Sequence, residues 1–304
     1  MATLSTVIVT HDSSEALGAT LLALIAQLRE GDEVIVVDNA SEDGTAELIR
    51  REFPDVRLVE LERNAGFGAA VNAGVVTSTA DAVVLVNNDV VVEAGFVASI
   101  TAPLADPAVG MVAGLTTMPG TGAVDGFGIE LDRGLAAYNR GRGGTVPGRL
   151  AMPSGGAAAY RRAAFTSVGG FDPRLFAYGE DVDLGLRLRA AGWRAAEAPD
   201  ARGVHLGGAT AGVDSPWQRE LAGFARGFLL RRWGVLASAA APRAALVDGL
   251  VVGWGLARHR TVVPLTARVR GWRAAGPGRR PLPPDAVDPG ISLAEALRRL
   301  VRSR

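Results

Sequence analysis

Four apolar, β-branched runs open the chain: TVIVT (6–10), EVIVVD (33–38), VRLVEL (56–61) and AVVLVN (82–87). Each is followed by a segment patterned as a helix, 14–29, 42–52, 66–76 and 93–105. This alternation constrains the fold more than any other feature, because parallel neighbours must be joined by crossovers, and these are right-handed. The expectation is an α/β fold with a single mostly parallel, Rossmann-like sheet flanked by helices. With 304 residues, 48% of them hydrophobic, the chain has ample material for such a core. Ligands in these sheets sit at the carboxyl ends of the strands.

Those ends are polar in this sequence. They carry Thr10-His11-Asp12, Asp38-Asn39, Asn64 shortly after the third run, and Asn87-Asn88-Asp89. A helix cap or turn explains any one of them. Four converging on one edge point to a site. The sharpest case is VVLVNNDVVV (83–92), read as one strand whose last residues surface at the ligand edge. A carboxylate there, Asp89, is a hard oxygen ligand suited to Mg²⁺ or Mn²⁺ shared with substrate phosphates.

Other chemistries are disfavoured. The chain has no cysteine, which excludes disulfides, thiolate metal sites and a cysteine nucleophile. A formal charge of zero argues against nucleic-acid binding by general phosphate attraction. No GxGxxG follows the first strand, and Gly66-Phe67-Gly68 lacks the third glycine; P-loop and GxSxG patterns are missing too. The N-terminal MATLSTVIVTHDSS does not read as a signal peptide, and the apolar stretch from Ala244 to Ala257 is interrupted by Asp248 and glycines.

From about 115 to 153 the pattern fades into Gly-rich loops and hairpins over a cleft. Order returns with Ser154-Gly155-Gly156, a helix over 161–168, and GEDVDLGLRLRAAG. Wound as a helix, that last segment groups Glu180, Asp183 and Arg187 on one polar face, at about 200–260° from Asp181. First-turn acids and an i,i+4 pair explain Glu180 and Asp183. Asp181 instead heads the apolar arc with Leu184, Gly185 and Leu188, where desolvation raises a carboxylate pKa and suits it to act as a base. His205, one of three histidines, follows a short apolar strand. After a helical segment from about 215, residues 258–304 carry eleven Arg against Asp285, Asp288 and Glu295, a net +8. That tail reads either as a solvated terminus or as a surface meeting anionic lipid.

Seven blocks, VIVTHDSSEALGATLLAL, EVIVVDNASEDGT, ERNAGFGAAVNAGV, VLVNNDVVV, SGGAAAYRRAAFTSVGGFD, YGEDVDLGLRLRAAGWR and GVHLGGAT, together resemble the family 2 glycosyltransferases, especially their rhamnosyltransferase-like branch. The resemblance implies an inverting enzyme of GT-A fold over residues 1–235, divided into a nucleotide-sugar half (1–115) and an acceptor half (116–235). A helical, basic, partly flexible extension (236–304) would follow. It implies nucleotide-sugar contacts at Thr10, Asp38, Asn64, Asn72 and Asn88, and metal ligation by Asp89 and His205 with Mg²⁺ or Mn²⁺ as cofactor. Asp181 would be the catalytic base and Glu180 would hold the acceptor. The donor it suggests is dTDP-L-rhamnose, the acceptor a glycan or lipid-linked hydroxyl in cell-envelope polysaccharide synthesis. The location expected is cytoplasmic, either soluble or peripheral at the inner face of the membrane through the basic C-terminal region. Asn87 departs from the family's usual Asp. A sugar nucleotidyltransferase and a non-catalytic nucleotide-sugar-binding homologue are the competing readings.

Overall fold

The computed structural model describes residues 3–144, 148–207 and 215–302. The end of the GVHLGGAT block, Gly208 to Thr210, lies outside the described residues, as do Ser303 and Arg304. The first half runs β1 (Leu4–Thr10), α1 (Ser14–Ile25), β2 (Glu33–Asp38), α2 (Thr45–Glu52), β3 (Arg57–Glu60), α3 (Phe67–Thr77), β4 (Ala82–Val86), β5 (Val90–Val92) and α4 (Phe96–Thr101). It continues with β6 (Val109–Thr117), β7 (Val124–Gly126), β8 (Ile129–Leu131), β9 (Ala137–Asn139), β10 (Ala157–Arg161), α5 (Arg162–Ser167), α6 (Glu180–Ala190) and β11 (Arg194–His205). The C-terminal helices are α7 (Pro216–Arg232), α8 (Ala241–His259), α9 (Val263–Ala274) and α10 (Leu293–Arg302).

The main sheet has the order β3-β2-β1-β4-β10-β6-β11-β5, with β7 paired to β6. Its first four strands are parallel, as the alternation requires. Beyond them β10 is inserted antiparallel to both β4 and β6, and β11 runs parallel to β6, so the whole sheet is mixed. Successive side chains of each central strand enter opposite cores. Val7, Ile35, Val37, Val83 and Leu85 pack with α3, α5, α6 and α7, while Ile8, Val34, Val36, Val84 and Val86 pack with α1, α2 and α4. Burial on both faces is why these strands read as continuous valine and isoleucine rather than as alternation.

The run VVLVNNDVVV is not one strand. It breaks at Asn87-Asn88-Asp89 into β4 in the centre of the sheet and β5 at its far edge, where β5 pairs antiparallel with the end of β11. The turn is held by Val90 N donating to the Asn87 carbonyl (3.1 Å) and Thr20 Oγ1 on α1 donating to the Asn88 carbonyl (3.0 Å). Three polar residues are tolerated here because they form the crossing from one strand to the other.

Residues after 235 fold back onto the preceding ones. Helices α7 and α9 cross so closely that a Cβ on Gly227 would overlap the Arg268 carbonyl, and one on Gly271 the Phe224 carbonyl. Arg243 of α8 pairs with buried Asp132 at 2.8 Å, and Arg299 of α10 with buried Glu130. Part of the C-terminal positive charge is therefore held in internal ion pairs.

Candidate active site

Thr10 and Asp38 end adjacent parallel strands and are buried. Asn88 Nδ2 donates to Thr10 Oγ1 at 3.4 Å, which ties the β4 turn to the end of β1. Asp38 Oδ1 accepts from the Ser41 backbone N–H (3.1 Å) and from its hydroxyl. Asn39 Nδ2 donates to Asn64 Oδ1 (3.0 Å), while Ala65 and Gly66 donate their backbone N–H groups to Asn39 and Asn64. Asn72 faces elsewhere: its amide exchanges hydrogen bonds with the Phe171 backbone, at 2.8 and 2.9 Å. It ties α3 to the loop before α6. Asp12, Ala40 and Tyr178 adopt left-handed backbone conformations, φ 49°, 63° and 66°. Such strain at non-glycine residues is found at functional sites; among the described residues these three lie beside the ends of β1 and β2 and just before α6, while two more, Leu135 and Arg260, lie elsewhere.

A second cluster forms where three further chain segments meet. Pairing of His205 with Val90 brings the end of β11 beside the turn, and Leu206 N donates to the Asp89 carbonyl at 2.8 Å. His205 Nε2 then lies 3.2 Å from Asp89 Oδ2, and its Nδ1 lies 2.8 Å from Asp125 Oδ2 on β7. The hydrogen bonds to Asp125 and Asp89 push the imidazole pKa up to about 10. Reciprocally, the bond to His205 holds the Asp125 carboxyl below its usual range, against the opposing effect of burial. Two carboxylates thus favour a cation at this point. A carboxylate oxygen and an imidazole nitrogen converging there suit a divalent ion, with Asp125 fixing the ring through its other nitrogen. Among the described residues no group of three or more His, Cys, Asp or Glu is arranged as a self-sufficient metal site. The donor set is that of an open site, which a divalent ion could occupy only with further oxygen ligands.

The third part is the start of α6. Gly179, at φ 80°, turns the chain into the helix against Ala225 and Leu229 of α7. Asp181 Oδ2 accepts the Gly155 N–H at 3.0 Å, while its Oδ1 is buried with no hydrogen-bond partner. Glu180 is buried and its Oε2 is also unpartnered. Burial raises both carboxyl pKa values; the Asp181 charge raises that of Glu180 further, and the Gly155 N–H pulls Asp181 back. The pair favours sharing one proton over holding two charges. Glycines link it to the rest of the edge. The Gly156 carbonyl accepts from Asn87 N at 3.4 Å, and a Cβ on Gly155 would lie 2.8 Å from the Phe67 ring.

The polar face of α6 is not solvated. Asp183 is fully buried, paired with Arg187 at 2.7 Å and with Arg232 of α7 at 3.0 Å, while Arg187 donates to the Val168 carbonyl. This buried network anchors the helix that carries Asp181.

Comparison with known proteins gives the family and the fold. The profile of "Glycosyl transferase family 2" matches residues 5–169, more than half the chain. The chain is a family 2 glycosyltransferase. An N-acetylglucosaminyl-diphospho-decaprenol L-rhamnosyltransferase of Mycobacterium tuberculosis is 32% identical over 231 residues, covering 66% of this chain and 75% of that protein. A poly-beta-1,6-N-acetyl-D-glucosamine synthase of Staphylococcus aureus is 26% identical over 189 residues, covering 60% and 45%. Among solved structures, the mannosyltransferase PcManGT from Pyrobaculum calidifontis, in complex with GDP-Man and Mn²⁺, superposes with a TM-score of 0.57 at 20% identity, covering 99% of this chain and 79% of its own. GalNAc-T7 with UDP, GalNAc and Mn²⁺ gives 0.63 at 16% identity, covering 90% and 55%. The fold is GT-A.

In this glycosyltransferase the structure brings Thr10, Asn88 and Asp89 together with His205 along one sheet edge, and places Asp181 behind Gly155 beside it. Asp125 is the participant that sequence reasoning missed. It lies in GAVDGFG, within a stretch legible only as loops, and its pairing with His205 depends on β7 joining β6.

Proposed function

We propose that this glycosyltransferase is an inverting, divalent-metal-dependent enzyme that moves a sugar from a nucleoside diphosphate donor to a hydroxyl of a glycan or lipid-linked acceptor in cell-envelope polysaccharide synthesis. The first donor to test is dTDP-L-rhamnose, supported by the L-rhamnosyltransferase relative. One observation carries the reading: a buried carboxylate oxygen, Asp181 Oδ1, stands without a partner beside the sheet edge that bears Asp89.

In this reading Asp181 takes the acceptor proton as the oxygen attacks the anomeric carbon, and the bond to the diphosphate breaks on the opposite face, leaving its electron pair on the diphosphate. One base and one displacement invert the configuration. Its raised pKa suits Asp181 to accept that proton. The neighbouring Glu180, raised further, holds the acceptor hydroxyl as a donor or acceptor of hydrogen bonds. Thr10, Asp38, Asn64 and Asn88 bind the nucleotide and ribose, and Asn72 supports that pocket from behind. Asp89 and His205 would hold Mg²⁺ or Mn²⁺, which when bound neutralises charge on the leaving diphosphate. Calorimetry with a panel of nucleotide sugars, with and without Mn²⁺, tests the assignment. Metal-dependent binding of a deoxythymidine diphosphate sugar is expected, and binding that is equal with and without metal would refute metal dependence.

A further inference from the structure

Helix α8 is built with its polarity reversed. Between Ala245 and Ala257 the exposed positions are Ala245, Leu246, Gly249, Leu250, Gly253, Trp254, Leu256 and Ala257, none of them charged or hydrogen-bonding except through the indole. Leu246, Leu250, Trp254 and Leu256 are 45–55% exposed. The one charged residue in that span, Asp248, points inward to Arg226 (2.9 Å) and Arg268 (2.8 Å). Arg243, one turn earlier, likewise reaches in to Asp132. An ordinary surface helix places such residues the other way round. The apolar surface continues past the turn into α9, through Val262, Leu265 and Val269. Gly255 lies against Pro264, which holds the two helices together as a hairpin.

The hairpin's own exposed charge has one sign. From Gly249 to Pro284 there is no Asp or Glu, while the same stretch holds seven Arg, of which Arg258, Arg260, Arg270 and Arg273 are exposed on the hairpin; Arg270 pairs with Glu220 of α7. A second copy of the chain seated on this face would meet the same acid-free sequence. An anionic lipid surface would meet leucine and tryptophan for its acyl boundary and arginine for its headgroups. Among the described residues no helix is long and apolar enough to cross a membrane, so the hairpin would lie on the bilayer. We propose that the α8–α9 hairpin is a membrane-docking face that seats the enzyme on an anionic bilayer. The proposal stands on the face itself and holds whatever the acceptor is.

Flotation of the full chain with vesicles of phosphatidylglycerol and phosphatidylcholine, against phosphatidylcholine alone, tests it without any sugar substrate. The wild type is expected to float with the anionic vesicles and to be released as salt rises. The triple variant Leu246→Ser, Leu250→Ser, Leu256→Ser, all at exposed positions, should lose about tenfold or more of that binding with an unchanged melting temperature. Arg258→Glu with Arg260→Glu should lose the preference for anionic lipid. Flotation of the triple serine variant at the wild-type level would overturn the proposal. So would a wild type that ignores both vesicles, or one that light scattering shows to be a dimer converted to monomer by the serine substitutions.

Discussion

Substituting Asp125 tests the metal end of the site through a residue that would touch neither metal nor sugar. Its Oδ2 lies 2.8 Å from His205 Nδ1, fixing the proton there and leaving Nε2 directed at Asp89, 3.2 Å away. Asp125→Asn retains an oxygen that accepts from Nδ1–H, so ring orientation survives while the charge is lost. Hydrogen bonds to charged groups contribute about 1 kcal/mol more than neutral ones, so apparent Mn²⁺ affinity in the presence of donor should fall by about 5-fold. Asp125→Ala removes the acceptor as well, and loss of such outer partners costs roughly 10–100-fold in metal affinity. The assay is a Mn²⁺ titration of donor binding by calorimetry, with donor held constant. A graded loss, alanine well beyond asparagine, is the expected result. An alanine variant with wild-type Mn²⁺ dependence would refute the assignment of His205 as a ligand oriented by Asp125.

Three further outcomes follow from the packing and the buried acids. Gly155→Ala places a methyl 2.8 Å from the Phe67 ring and disturbs the N–H that holds Asp181, so transfer should fall with little change in donor affinity. Gly227→Ala overlaps the Arg268 carbonyl at the α7–α9 crossing and should cost about 2–3 kcal/mol of stability, read by thermal or denaturant unfolding. Because the Glu180 pKa is raised in the folded protein, the folded state binds more protons than the unfolded one above the ordinary glutamate pKa of 4.5, and stability declines as pH rises from there. Glu180→Gln removes the Glu180 share of that decline: it should raise the melting temperature at pH 8 and leave it nearly unchanged at pH 4, whereas equal shifts at both pH values would contradict the buried-acid account.

The parallel half of the fold was legible because β1, β2 and β4 are buried on both faces, and that burial writes itself as unbroken β-branched runs. The second half was not, since apart from β6 its strands are short or irregular. β11 spans RAAEAPDARGVH, with a register shift between Ala198 and Arg202 that absorbs Pro199 and leaves no periodicity to read. The same holds for VVLVNNDVVV, whose valines on either side of the turn serve opposite ends of the half-sheet, a fact of pairing that composition does not encode. The placement of Thr10, Asp38 and Asp89 at or just beyond strand ends was legible from position, as was that of Asp181 in the first turn of α6. Asp125 was hidden because its role comes from a partner 80 residues away. The buried state of Asp183 and Arg187 was hidden as well, because the covering cation, Arg232, belongs to another helix.

Asp181→Asn tests the central claim most directly, because it keeps the side chain's size and its ability to accept the Gly155 N–H while removing the basic oxygen. Donor affinity by calorimetry and transfer rate with a hydroxyl acceptor should be measured on the same preparation. Unchanged donor affinity with transfer reduced by roughly 10²–10⁴ is the outcome expected for loss of a general base. Transfer at the wild-type rate would show that another group removes the acceptor proton.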